Sequence, residues 1–197
     1  MSKKWLIPGI IVGVIVIIAL IVVGGYNGLV GQRESVNKSF ANLQSQYQRR
    51  ADLVPNLVST VKGAANFEQS TLTEVTEARA KATSITIDPS TATPEQLAQY
   101  QQSQGELSQA LGRLLAVTEN YPELKAVQGF QDLQVQLEGT ENRISVARND
   151  FNSAASGYNT RIQTFPTNIT AGIFGFDKFT YFEAEDGAEN APDVNFE

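Results

Sequence analysis

The chain has 197 residues and a net charge of −6, enough length for one compact domain with an additional segment. It has no cysteine and no histidine. Disulfides, thiolate nucleophiles and iron–sulfur ligation are thereby excluded, and zinc, copper and haem lose their usual ligands.

Residues 6–23 carry no charge and are nearly all large and apolar. At helical rise they reach about 27 Å, enough to cross a hydrocarbon core. Trp5 and Tyr26 flank the run as interfacial anchors, and Pro8 falls in the first turn, where its missing N–H matters least. The alternative is a cleaved signal peptide. The apolar run is longer than a usual signal core, and the exit Val22-Val23-Gly24-Gly25-Tyr26 lacks a small-x-small site, so a retained transmembrane helix is expected. Lys3, Lys4 and the terminal amine outweigh Arg33 and Lys38 by about one charge, which leans toward a cytoplasmic N-terminus.

Four helices follow. In the first, Leu29, Arg33, Val36, Phe40, Leu43 and Tyr47 step by alternating fours and threes, a heptad seam with one charged member. Only Gly24-Gly25 stands between it and the apolar run, so the two are candidates for one long helix. The second is placed at residues 52–85, with Asp52 as N-cap and Pro55 in the first turn. Its apolar face is Val54, Leu57, Val58, Val61, Ala65, Leu72, Val75 and Ala82. This reading makes residues 49–53 a turn; the alternative is a continuous helix bent at Pro55.

The turn-rich stretch 88–94 precedes the third helix, capped by Thr93 with Pro94 at its first position. Leu97, Tyr100, Gln104, Leu107, Leu111 and Leu114 form its seam, and Asn120-Tyr121-Pro122 ends it. The fourth helix is placed at 122–164. Its face is Val127, Phe130, Gln134, Leu137, Glu141, Ile144, Arg148, Phe151, Ala155, Tyr158 and Ile162, and Phe165-Pro166 closes it. Short connections between four long helices predict an up-and-down antiparallel bundle, a rod roughly 40–60 Å long.

Three features are candidates for function. Arg33, Gln134, Glu141 and Arg148 fall at core-facing positions; register-setting contacts are the favoured reading over an ion site, since a di-metal bundle site needs histidine. Residues 140–152 are polar on several faces, either solvated or a partner surface. Residues 172–182 concentrate six large apolar side chains between glycines. Packing back onto the bundle is favoured over docking into a neighbour or the membrane interface. Glu74 and Glu77 share a face and read as solvated rather than as a dyad. Residues 177–197 hold Asp177, Glu183, Glu185, Asp186, Glu189, Asp193 and Glu197 against Lys178, a solvated acidic tail that opposes nucleic-acid binding.

Several blocks, in order, resemble the LemA family: Tyr26-Asn27-Gly28-Leu29-Val30, Gln48-Arg49-Arg50-Ala51-Asp52-Leu53-Val54-Pro55-Asn56-Leu57, Glu119-Asn120-Tyr121-Pro122-Glu123-Leu124-Lys125, Thr140-Glu141-Asn142-Arg143-Ile144, Tyr158-Asn159 and Phe182-Glu183-Ala184. The resemblance spans about residues 26–196. It implies a bacterial cell-membrane protein with one N-terminal anchor and a four-helix bundle, without an established activity. The family includes magnetosome-membrane proteins and is often described with its short N-terminus outside, against the charge-based lean. At Ala64-Ala65-Asn66-Phe67-Glu68 the chain departs from the family, where an aromatic and a histidine are expected before the Glu.

The expected organisation is therefore all-α: an anchor at 1–25, a bundle at 26–165, and an apolar segment with an acidic tail at 166–197. No catalytic, cofactor-binding or metal-ligating residue is assigned. No cofactor, nucleic acid or small-molecule substrate is expected. The expected partners are the bilayer, through residues 6–23, and proteins or further copies of the chain. A membrane scaffold is the leading function, an oligomerising membrane-shaping protein the runner-up, and a carboxylate-based enzyme the weakest reading.

Overall fold

The computed structural model describes residues 6–63 and 68–183. The family departure at residues 64–67, the Trp5 anchor with Lys3 and Lys4, and the acidic run beyond Glu183 lie outside them. Among the described residues there are six helices and no strand: α1 (Leu6–Lys62), α2 (Gln69–Ser84), α3 (Pro94–Thr118), α4 (Pro122–Lys125), α5 (Gln128–Gln163) and α6 (Thr167–Phe174).

The expected turn at residues 49–53 does not exist. α1 runs unbroken from the apolar run through Gly24-Gly25 and through Pro55. The reason lies in the seam, which continues past Tyr47 to Arg50, Val54, Leu57 and Val61 without losing its spacing. All of these are buried, as are Leu29, Val36, Phe40, Leu43 and Tyr47. A reversal at 49–53 would break one continuous apolar stripe in two. Pro55 has no N–H to offer the Ala51 carbonyl four residues earlier. That carbonyl accepts instead from Arg79 Nε at 2.7 Å.

The chain reverses between Lys62 and Gln69, so the helix expected at 52–85 is divided between α1 and α2. α2 lies antiparallel to α3, where Glu74 pairs with Arg113 and Lys81 with Glu106 at 2.6 Å. α3 opens as expected, on a capping box: Thr93 Oγ1 accepts from the Gln96 N–H at 3.3 Å, and Gln96 Oε1 accepts from the Thr93 N–H at 3.0 Å. The helix expected at 122–164 starts with the separate turn α4, which buries Leu124 under the end of the bundle before α5 begins.

α5 returns antiparallel to α1, giving the up-and-down order α1, α2, α3, α5. From Leu29 to Lys62, α1 contributes about 50 Å of rod, and α5 spans about 54 Å. Two apolar clusters fill it. The one far from the apolar run joins Leu57 and Val61 of α1, Leu72 and Val75 of α2, Leu107 and Leu114 of α3, and Phe130 and Leu137 of α5. The near one joins Leu29, Phe40 and Leu43 to Tyr100, Phe151, Tyr158, Phe179 and Phe182.

α2 reaches only the far half. In the near half its place is taken by the loop after α2, through half-buried Ile85 and Ile87, and by residues 176–183. The segment 172–182 thus packs back in part. Phe179 and Phe182 are buried, whereas Ile173, Phe174 and Tyr181 are exposed.

Candidate functional site

The four polar seam residues do not form a common site. Arg33 is exposed, so its expected inward position is corrected. Gln134, Glu141 and Arg148 sit at the edge of the core. α5 is rotated so that Leu133, Thr140 and Ala147, each one residue earlier, face inward. Keeping a carboxylate and a guanidinium at the rim avoids the desolvation cost of a central position, and Thr140 satisfies its hydroxyl on the Gln136 carbonyl at 2.7 Å.

Among the described residues the buried charge is Arg50, at 2% exposure. Its Nη1 donates to Glu141 Oε1 at 2.8 Å, and its Nη2 donates to the Gln104 carbonyl and to Gln104 Oε1, both at 2.9 Å. The guanidinium lies 5.3 Å from the Tyr47 ring centroid, a cation–π distance. Gln104 Nε2 completes the layer by donating to the Ala82 carbonyl at 3.0 Å. The layer joins α1, α2, α3 and α5 where the two apolar clusters meet. A slip of α1 or α3 breaks three of these bonds at once and a slip of α2 or α5 breaks one, so the layer sets register. Arg148 Nη2 donates to the Tyr47 hydroxyl at 3.2 Å, one level nearer the apolar run.

The polar stretch 140–152 is a half-buried helix face, with Thr140, Ile144, Ala147 and Phe151 inside and Asn142, Arg143, Ser145 and Asp150 outside. Of the acidic pair, Glu74 is held by Arg113, while Glu77 is exposed. Among the described residues no group of three or more His, Cys, Asp or Glu is placed to hold a metal ion.

Two asparagines hold the C-terminal segment. Asn152 takes the Phe182 N–H on Oδ1 at 3.0 Å and donates to the Phe182 carbonyl at 2.9 Å. Asn159 does the same for Phe179, at 2.9 and 2.8 Å, and also donates to the Tyr181 hydroxyl at 2.9 Å. The spacings match: seven residues of helix and three of extended chain both cover about 10 Å. Neither asparagine was singled out for this in the sequence, where the signal is only their heptad spacing on one face.

A groove of about 930 Å³ opens between α1 and the end of α2. Gln44, Ser45, Gln48, Asp52, Asn56, Thr83 and Thr86 line it, with Tyr47 and Tyr100 among the deeper groups. Burial pushes the Tyr100 phenol well above its ordinary value, with Tyr47 adding and Arg50 opposing. The exposed Arg49 and the Asp52 carboxylate join these amides and hydroxyls, so the groove wall is rich in hydrogen-bonding groups of both donor and acceptor kind. Asp88, in the loop before α3, is held below the usual carboxylate range by the Ser90 hydroxyl and then by the Ser90 backbone N–H, with Arg33 adding.

At the other end, every Ile, Val and Leu from Ile10 to Ile21 is at least 50% exposed. None of the most apolar window is buried, so this part of α1 is not a core helix, and it is long and apolar enough to cross a membrane.

A model of the LemA family matches residues 39–196. The chain is 30% identical to magnetosome protein MamQ 2 of Paramagnetospirillum magneticum, across 80% of this chain and 64% of the relative. It is 28% identical to magnetosome protein MamQ of Magnetospirillum gryphiswaldense, over the same shares. It is 26% identical to protein LemA of Metamycoplasma hominis, across 83% of this chain and 71% of that protein. The match to the magnetosome relatives spans 64% of their length, just under two thirds. With a family match covering most of its length and a helical bundle to go with it, the chain belongs to the LemA family.

Proposed function

We propose that this chain is a non-enzymatic single-pass membrane protein that acts as a scaffold or partner-binding module at the bacterial cell membrane. The observation that carries the reading is the continuity of α1. One helix supplies both the fully exposed apolar run and the central seam of the bundle. An anchor built this way transmits its position to the whole rod, which a flexible tether would not do. The side chains of the groove between α1 and α2 support binding rather than turnover, and it is the concave surface offered to a protein partner. The bilayer is contacted through residues 6–23, and the lysines before them favour a cytoplasmic N-terminus.

Crosslinking in intact cells, followed by isolation of the full-length chain, is expected to trap specific adducts with other proteins or with further copies. A strictly monomeric chain without adducts sinks the proposal. Protease accessibility of the residues after Glu183 in spheroplasts decides orientation: cleavage is expected if the rod faces outward.

A second reading, an oligomerising membrane-shaping protein, draws on the magnetosome relatives and on the exposed apolar residues of α6. It predicts that the purified chain assembles on liposomes and alters their shape under electron microscopy. Unchanged vesicles at high protein density count against it.

A further inference from the structure

We infer that α6 is a second membrane contact, an interfacial foot whose outer side chains enter the bilayer surface beside the transmembrane part of α1. This rests on the anchor reading above and adds to it a lipid-binding site of its own.

The first observation is position. α6 packs on α1 immediately past the apolar run: a Cβ built on Gly25 would come within 3.1 Å of the Thr170 hydroxyl, and Tyr26 stacks edge-on against Phe174 at 4.9 Å and Phe176 at 5.6 Å. Gly25 lies two residues beyond Val23, about 3 Å along the helix. The interfacial layer on each side of a hydrocarbon core is roughly 5–8 Å deep, so α6 sits within it.

The second is the face. Thr167, Thr170 and Ala171 are turned to the bundle, while Phe165 is 76% exposed, Ile169 51%, Ile173 65% and Phe174 50%. Apart from exposed Asn168, the side chains on the uncovered side are apolar, the reverse of a solvated surface helix.

The third is charge. No charged residue occurs between Arg161 and Asp177, nor between Lys4 and Arg33 on α1. The two uncharged stretches meet at the same level. Every other charge-free interval in the sequence is shorter. A collar free of charge around the exit of an apolar helix matches the composition of a lipid interface. Gly175, at φ +68°, ends α6 and turns the chain back up the rod toward Phe179, so only the foot stays at this level.

A second copy of the chain fits this face less well. Its four side chains present roughly 500 Å², below the roughly 800 Å² per partner of a stable interface.

The test uses the full chain, whose lack of cysteine allows single labels. Nitroxides are placed by Ile169→Cys, Ile173→Cys, Ile17→Cys and Val135→Cys, all at exposed positions, and each protein is reconstituted in phosphatidylethanolamine–phosphatidylglycerol vesicles. Collision rates with oxygen, which concentrates in lipid, and with a water-soluble nickel chelate are compared. A several-fold higher oxygen-to-nickel ratio at 169 and 173 than at 135, approaching that at 17, is expected. If the label at 17 is in lipid while 169 and 173 match 135, the foot is refuted and the anchor stands. If 17 is itself open to nickel, the anchor reading fails and the foot with it. If 169 and 173 are shielded from both reagents and show dipolar broadening between chains, a second copy occupies the face and the lipid assignment is overturned.

Discussion

Arg79→Met tests how α1 passes through Pro55. The substitution keeps most of the aliphatic stem and removes the donor that serves the Ala51 carbonyl at 2.7 Å. Ala51 is 2% exposed, so its carbonyl has little access to water once Arg79 is gone. A hydrogen bond from a charged donor contributes about 1.5–3 kcal/mol. Arg79 is half-exposed, so a loss of about 1.5–2 kcal/mol is expected. The informative comparison is the same substitution in a Pro55→Ala background. An alanine there restores the N–H that bonds the Ala51 carbonyl within the helix, and Pro55 is exposed, so its removal opens no cavity. Pro55→Ala is itself stabilising, and Arg79→Met in that background costs only about 0.5 kcal/mol, a coupling of about 1–1.5 kcal/mol. The assay is urea unfolding of the full chain in non-ionic detergent, followed by far-UV circular dichroism across the four proteins of the cycle. Equal costs of Arg79→Met in both backgrounds, within about 0.5 kcal/mol, refute the reasoning.

Replacing Asn159 by Leu removes two buried bonds to the Phe179 backbone and one to Tyr181, costing about 2–3 kcal/mol, and limited proteolysis should then cut between Gly175 and Glu183. Glu141→Ala leaves Arg50 buried with Gln104 as its hydrogen-bonding side chain. Because the Glu141 side chain is 40% exposed, the cost is about 1–2 kcal/mol rather than the roughly 3–5 kcal/mol of a fully buried pair, read from the same urea curves. The raised Tyr100 and Tyr158 phenols make the fold alkali-sensitive. Their folded values lie above the unfolded one, so their stabilisation is complete below about pH 10 and is lost as pH rises beyond it, by up to about 1.4 kcal/mol per pH unit per phenol. Tyr100→Phe should move the alkaline midpoint upward in circular dichroism; an unmoved midpoint refutes the assignment. Gly25→Leu forces a side chain into Thr170 and should lift α6 from α1, read as increased proteolysis after Phe165.

The all-helical class, the exposed apolar run and the α3 cap were legible because each rests on local chemistry: unbroken apolarity, heptad spacing, and a Thr-Pro pair with Gln three residues on. The turn at residues 49–53 was misplaced because Asp52 and Pro55 form a good helix start taken alone. The longer-range signal was the seam, which carries Arg50 between Tyr47 and Val54 at unbroken spacing. What rescues Pro55, the Arg79 donor, comes from another helix and has no local signature. Arg50 went unrecognised as the buried charge for a related reason: an arginine in a seam is as easily rotated outward, as Arg33 and Arg148 are, and it is the convergence of Gln104, Glu141 and Tyr47 that holds it inside.

The C-terminal segment explains how a bundle with one short helix keeps a filled core. α2, about 24 Å long, covers less than half of the seam that α1 and α5 share. Beyond its end, Phe151 and Tyr158 would face water if Phe182 and Phe179 did not cover them. Extended chain can take that place because Asn152 and Asn159 satisfy its backbone where a helix would have satisfied its own. The same segment supports a second weak point of α1. Gly24-Gly25 costs about 1 kcal/mol per residue relative to alanine in a helix, and an isolated helix would hinge there. α6 lies across that point, and Gly25 is what lets Thr170 approach so closely. The glycine that weakens the helix by propensity is thus the one that admits α6, which returns to the level where the apolar run and the rod join.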